Sequence, residues 1–349
     1  MCGPVQLAWP PMSWYIIETL ERPPTMSVVF KDGSRRDWAN VQGLRRDTNV
    51  HSETLVKALE EVRQSGKPVK PIEVPGYQGP RLVSAIPILS YDRQVYGIQL
   101  WVGGLQEEIP HPRITAATTW DAKTLQVSQG LESWLMSTND ADGFRRNRNS
   151  GEFMRKVVRF DGVDELTEHA INPIEGRTLE SDVVVLHDEG HLMRWHSVVR
   201  NRNDDEAFGL RSIMHDVSDT QDPQVGALEH LGVTEADPNG NVSALIAFPN
   251  GNETVVVVKF LTQPPHWIDY RLDGSNDIIH PEDWPLLRRN QNILSAGTPG
   301  ARVKSQVRIR TSDPEKWVAV NLVEWRYPGT VGDKLHIVQF SRVTPASET

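Results

Sequence analysis

The stretch 181–220, SDVVVLHDEGHLMRWHSVVRNRNDDEAFGLRSIMHDVSDT, restricts the fold more than any other part of the chain. Three runs rich in β-branched and aromatic residues, 183–186, 192–199 and 208–217, are separated by the polar clusters 188–190 and 200–206. Short strands punctuated by Asp, Gly and Asn make an antiparallel meander. The pattern returns at 81–88 and 95–102 around Tyr91-Asp92-Arg93, and again at 303–310, 317–325 and 334–343. The three copies close near Val102, Val217 and Val343, at intervals of roughly 110 to 130 residues, a normal domain size.

Each meander follows a helical pattern and, before that, strands. In the first copy, 14–20 fits a strand or a short helix, and 27–30 is a strand ending on Lys31-Asp32-Gly33. Ser52 is placed to cap a helix, Glu53 suits its positive end, and Gly66 followed by Pro68 stops it. Leu55, Leu59 and Val62 share one face of that helix. In the second copy, strands at 115–120 and 125–127 precede helices at 132–136, 152–158 and 164–170, with 139–149 as an exposed loop. In the third, strands at 242–248 and 254–261 flank the turn Pro249-Asn250-Gly251-Asn252. There His280-Pro281-Glu282-Asp283-Trp284 opens a helix to about 294, with Gly297 beyond it. Prolines in 106–113 and 221–231 mark two linkers. The expected fold class is α+β: three domains, 13–106, 113–220 and 228–345, each an antiparallel sheet with helices packed on it.

Particular residues add a resemblance. In the second domain, Gly190 to Trp195 followed by Gly209-Leu210-Arg211-Ser212-Ile213-Met214-His215-Asp216-Val217-Ser218 resembles the closing strands of a PAS domain. In the third, His280-Pro281-Glu282-Asp283 resembles the element that opens the helix before the last PAS strands. In the first, Ser65-Gly66-Lys67-Pro68-Val69 and the strands AIPIL and VYGIQLWVG resemble a GAF domain. As a whole the chain resembles an actinobacterial, mycobacterial-type sensor protein with one GAF and two PAS domains and no effector. The resemblance implies ligand or partner sensing passed to another protein.

Charge and motifs narrow the function classes. The net charge of −9 leaves no basic stripe to displace counterions from phosphates, so nucleic acid is not an expected partner. No apolar run approaches the roughly 20 residues that span a bilayer, and the first residues lack signal-peptide character. One cysteine, Cys2, allows no internal disulfide framework and fits a reducing compartment. A soluble, cytoplasmic protein without membrane insertion is expected. The sequence has no nucleophile elbow, Walker loop, dinucleotide fingerprint or zinc-cysteine spacing, so no catalytic residue is assigned and no enzyme is expected.

Two features invite sharper chemistry. His187-Asp188-Glu189-Gly190-His191 would present two metal ligands on one face of a helix, but Gly190 and the strand-like flanks make it a turn, and no metal is assigned. Haem would need an axial histidine, for which His169 is the helical candidate in the second domain, and flavin photochemistry would need a pocket cysteine; no cofactor is expected. Asp204-Asp205-Glu206, with Asp216 and Asp219, reads as a solvated turn. The eleven Trp residues matter more. Trp101, Trp195, Trp267, Tyr270, Trp317 and Trp325 are candidates to wall a small-molecule pocket, against the plainer reading that they pack sheets on helices.

The expected function is a non-catalytic sensor that takes ligand or partner signals and passes them, through the linkers near Gln106 and Gln221, to an unidentified signalling protein. The alternatives are a protein–protein scaffold with closed pockets and a disguised hydrolase. A cavity of several hundred Å³ in a domain core favours the sensor; a filled core favours the scaffold.

Overall fold

The computed structural model describes residues 14–21, 25–203, 208–234, 237, 240–250, 253–271, 277–313 and 316–343. Cys2, the acidic run 204–206 and Gly251-Asn252 of the expected third-domain turn lie outside the described residues. The described residues form three sheets in succession, and every pairing between their strands is antiparallel.

The first sheet holds β1 (Tyr15–Glu18), β2 (Ser27–Lys31), β3 (Ser34–Asn40), β4 (Val69–Val74), β5 (Arg81–Leu89) and β6 (Val95–Gly103), in the order β3-β2-β1-β6-β5-β4. Between β3 and β4 come α1 (Leu44–Thr48) and α2 (Ser52–Ser65). Helix α2 buries Leu55, Ala58, Leu59 and Val62 on the sheet and ends on Gly66 in the left-handed conformation (φ 60°). Ser52 does not cap it: the N-cap is His51, which makes no side-chain capping bond, and Ser52 is already helical. The strands β3 and β4 went unread because β3 (SRRDWAN) is almost wholly exposed and β4 is buried only at its two ends.

The second sheet holds β7 (Thr115–Asp121), β8 (Val127–Gln129), β9 (Asn147–Arg148), β10 (Val157–Arg159), β11 (Thr178–Leu186), β12 (Leu192–Asn203) and β13 (Phe208–Asp216), in the order β10-β11-β12-β13-β7-β8-β9. Helices α3 (Leu131–Leu135), α4 (Ser150–Phe153) and α5 (Val163–Ile171) lie between β8 and β11. The helix expected over 152–158 is shorter. It becomes a 3-10 turn at Met154–Lys156, and Val157 and Val158 belong to strand β10, which pairs with β11 through Val157 and Arg159. Gly209 on β13 has no room for a side chain, since a Cβ there would sit 1.8 Å from the Trp120 carbonyl oxygen on β7.

Helix α6 (Ala227–Thr234) leads to the third sheet. It holds β14 (Val242–Ala247), β15 (Val256–Phe260), β16 (Val303–Arg310), β17 (Trp317–Arg326) and β18 (Leu335–Arg342), in the order β15-β14-β18-β17-β16, with α7 (Trp284–Ala296) between β15 and β16. The same plan runs through all three sheets. An initial hairpin lies beside the last strand of a closing meander, so first and last strands pair centrally.

The domains share cores. Ile16, Val29, Phe30 and Tyr96 on the first sheet interlock with Ala117, Val198, Ile213 and Val217 on the second. Polar contacts frame that seam. Arg200 meets Glu18 at 3.1 Å, Tyr96 Oη meets Thr119 Oγ1 at 2.9 Å, and Gln99 Nε2 donates to Thr115 Oγ1 at 3.1 Å. Leu245, Ala247, Val256 and Val258 on the third sheet join the core that contains Met154, Val157 and Ile171 of the second domain. Strand β14 therefore alternates between two cores, Ala244 and Ile246 inward to its own helix layer, Leu245 and Ala247 toward the second domain. Burial on both faces explains the apolar run Ala244–Ala247.

The first linker is pinned as well. The Trp14 indole donates to the Pro110 carbonyl at 3.2 Å, and buried Arg113 binds Asp219 at 2.7 Å and the Asp216 carbonyl at 3.0 Å. The segments expected as loose linkers thus join domains that pack directly on one another, and large apolar interfaces resist independent domain motion.

Candidate functional site

Strands β7, β11, β12 and β13 present one face toward α4, α5 and the 3-10 turn, and a cavity of about 50 Å³ remains between the layers. Its apolar wall includes Trp120, Phe153, Met154, Val185, Trp195 and Met214. Period-2 alternation selects these residues: on β12, Met193, Trp195 and Val199 join the core of this domain, while Val198 faces the first domain.

The polar part of the lining comes from two places. On the sheet, Thr118 and Ser212 share a 2.6 Å hydroxyl hydrogen bond, and Ser181 and Ser197 stand nearby in the wall. Arg148 on the edge strand β9 and Lys156 on the 3-10 turn complete it. The Arg148 guanidinium meets the Glu152 carboxylate at 3.2 Å and donates to the Glu152 carbonyl at 3.0 Å, while Arg145 pairs with the same carboxylate. Burial pulls the Arg148 pKa down to about 10, against the attraction of Glu152, and pushes Glu152 up. Lys156 donates to the Ser137 carbonyl at 2.8 Å and pairs with Asp188 at 2.7 Å; burial lowers its pKa, and Asp188 opposes that.

Arg148 was expected in an exposed loop, yet Arg148, Asn149 and Glu152 are all buried. The sequence did carry a signal. Asn149 with Glu152 three residues later has the spacing of a helix start, and Asn149 Oδ1 accepts the Glu152 amide at 2.9 Å.

Of the six aromatic candidates, Trp195 lines the cavity, and its indole N–H has no hydrogen-bond partner among the described residues. The others stand elsewhere. Trp101 is buried on β6 against Gly103 in the first domain. Trp267 and Tyr270 pack on the third core, with the Arg155 guanidinium 5.6 Å from the Tyr270 ring. Trp317 is covered by His280 and Arg310, and Trp325 by Arg302. These five pack or stack and do not wall the cavity. His169 does not face it either: it is buried, with Nδ1 bonded to the Asn201 side chain, and burial lowers its pKa.

Two further buried clusters were not foreseen. At the seam between the first two domains, the Phe30 ring lies 4.4 Å from His215 and 5.6 Å from His196. Asp182 receives hydrogen bonds from His196 and Arg194 and pairs with Arg35. Burial would raise the Asp182 carboxyl, but those bonds outweigh it and hold its pKa well below the usual carboxylate range. Burial, with His196 and Arg113 adding to it, keeps His215 neutral. In the third domain, His336 Nδ1 meets Glu324 at 2.6 Å, and Asn290 donates to the same carboxylate at 2.9 Å. Both members of that pair are fully buried.

Residues 13–111 match the model of the Rv3651-like N-terminal family. No curated protein matches the chain. Among solved structures, a putative uncharacterized protein from Mycobacterium tuberculosis superimposes with a TM-score of 0.73 at 19% identity, covering 96% of this chain and 97% of that one. The chain shares the fold of that mycobacterial protein across nearly its whole length. An RNA-binding light-oxygen-voltage receptor aligns at a TM-score of 0.24 and 10% identity, over 66% of this chain and 95% of that one. The periplasmic sensory domain of the Campylobacter jejuni chemoreceptor Tlp1 aligns at 0.18 and 9%, over 61% and 75%.

Proposed function

We propose that this chain is a non-catalytic cytoplasmic signalling scaffold built from three sensor-type domains, the first GAF-like and the other two PAS-like, which presents one welded body to a separate effector. The size of the second-domain cavity carries this reading. About 50 Å³ accommodates a few waters or a very small molecule, whereas a metabolite-sized ligand needs roughly 300 Å³ or more. The shared sheet order supports the three-domain reading, and the two interdomain cores support a body that acts as a unit. The fully buried His336–Glu324 pair, although it has the composition of an acid–base dyad, has no surface with which to meet a substrate.

A second reading, ligand sensing, rests on the chemistry of the same lining. Two cations, hydroxyls and an unpartnered indole N–H surround a pocket walled by Met154 and Met214, whose flexible side chains adapt to irregular shapes. Native mass spectrometry on protein isolated from its own host separates the two. The scaffold reading expects the bare chain mass and no thermal shift across nucleotide and metabolite panels. A stoichiometric metabolite-sized adduct, lost on Met214→Trp, would establish the sensor reading in its place. Turnover of any panel member abolished by a single substitution would remove both.

A further inference from the structure

The tip of the β11–β12 hairpin closes between His187 and His191. The His187 amide donates to the His191 carbonyl at 2.9 Å, and the Gly190 amide returns to the His187 carbonyl at 2.9 Å. Gly190 sits at φ +86°, the left-handed position that a three-residue hairpin loop requires. The motif is therefore a turn, as its glycine foretells. A turn of this length does not scatter the histidines, however. It sets them directly opposite each other, where cross-strand side chains share a face with Cβ atoms about 5 Å apart. Their rings are stacked, with centroids 4.4 Å apart and planes 22° from parallel. Glu189, at the centre of the loop, folds back so that its Oε2 lies 3.8 Å from His187 Nδ1. Ligand atoms of all three side chains lie within 4.8 Å of one another.

We propose that His187, Glu189 and His191 form a binding site for a divalent transition-metal cation of the zinc class, with its remaining coordination position open to solvent. Two imidazoles and a carboxylate are a zinc-type donor set, and four-coordinate zinc at about 2.1 Å per bond spaces its ligand atoms about 3.4 Å apart. The spacing of His187 Nδ1 from Glu189 Oε2 is already close to that. Glu189 and His191 are exposed, so rotamer changes there complete the closure without moving the backbone. His187 is the fixed point: it is buried, and its Nδ1 acts as an acceptor, so a lone pair points at the loop. That lone pair now accepts the Glu189 amide at 3.1 Å, a contact the metal would displace.

The loop is also held in place. The Asp188 amide donates to the Ser137 carbonyl at 3.2 Å, Lys156 pairs with Asp188, and the Asn139 side chain donates to Glu189 Oε1, leaving Oε2 turned toward His187. Hydrogen bonds of this kind orient metal-binding carboxylates and raise affinity. Lys156 and Arg155 are the neighbouring cations that work against binding, while Asp188 and Glu189 work for it.

The full-length chain, without a histidine tag and stripped with EDTA, is titrated with Zn²⁺ by calorimetry and with Co²⁺ by visible absorbance. One equivalent is expected to bind, Co²⁺ giving the intense d–d band of a low-symmetry four-coordinate site. His191→Asn and Glu189→Gln, both exposed positions, are expected to keep the wild-type melting temperature without metal. Each is expected to weaken Zn²⁺ binding at least tenfold. Lys123→Gln, at an exposed position on the β7–β8 turn, serves as the control and is expected to bind as wild type does. Absence of a one-equivalent event, or equal binding by the wild type and both site variants, overturns the proposal.

Discussion

Lys259 offers a quantitative test of how the second and third domains are joined. It lies on β15, buried, with its ammonium donating to the Met154 carbonyl at 3.4 Å and to the Val157 carbonyl. Burial pulls its pKa from 10.5 down to about 8. An unfolded lysine keeps its proton up to about pH 10.5, whereas the folded one releases it near pH 8. Between those values the unfolded state binds more protons, so stability rises with pH. The gain is complete above the unfolded value and gone below the folded one. At 1.36 kcal/mol per pH unit the full effect is about 3 kcal/mol, most of which develops between pH 7 and pH 10.

Lys259→Met keeps the aliphatic stem and removes the titration. It also deprives two buried carbonyls of a donor, at about 1–3 kcal/mol independent of pH. Guanidinium unfolding of both proteins at pH 7, 8, 9 and 10 gives the difference in stability at each pH. Taking the difference cancels the tyrosines and other groups that titrate in the same range. The wild type should gain about 2–3 kcal/mol on the variant across that span. A difference that stays flat within about 0.5 kcal/mol would show that the ammonium is fully compensated at neutral pH, and the reasoning from burial would fail.

Two more outcomes follow from the packing. Glu18→Ala leaves the Arg200 guanidinium buried between the first two domains, with the partly exposed Glu21 at 3.5 Å as its remaining carboxylate and the Gly176 carbonyl at 3.4 Å, and should cost about 3–5 kcal/mol in urea unfolding. Glu18→Leu with Arg200→Met should recover most of that, and a single-variant loss below about 1 kcal/mol would mean that water reaches the pair. Met214→Ala enlarges the second-domain cavity and should cost about 2–5 kcal/mol, with benzene or xenon then raising the melting temperature of the variant alone. A variant that gains nothing from either probe would show that the core collapses around the deletion.

The strands of the meanders were legible because alternation and polar turns are local signals, and α2 was legible because Leu55, Leu59 and Val62 repeat at helical spacing before Gly66. The fate of polar residues was not. Residues 200–206 read as a turn, yet β12 continues through Arg200, Asn201 and Arg202 to Asn203, with the first three buried. Arg200 finds Glu18, 182 residues away in the chain, and Asn201 finds His169. No window of sequence contains both members of such a pair. Trp195 was among the pocket candidates as one of several aromatic residues, but nothing in the sequence separated it from Trp317, which stacks with Arg310 on the neighbouring strand, or from Trp325, which stacks with Arg302 just before that strand.

The sequence by itself determined three antiparallel sheets, their order along the chain and the positions of the main helices, since each follows from side-chain period, turn residues and caps within about 15 residues. Tertiary structure alone decided three other things. It turned both faces of β14 inward, so that one apolar run serves two cores. It closed the second-domain cavity to about 50 Å³, a residue of packing that depends on every side chain around it. And it converted His187 and His191 from the flanks of a polar turn into a facing pair with Glu189 between them, because a three-residue loop with a left-handed glycine brings its two ends into register.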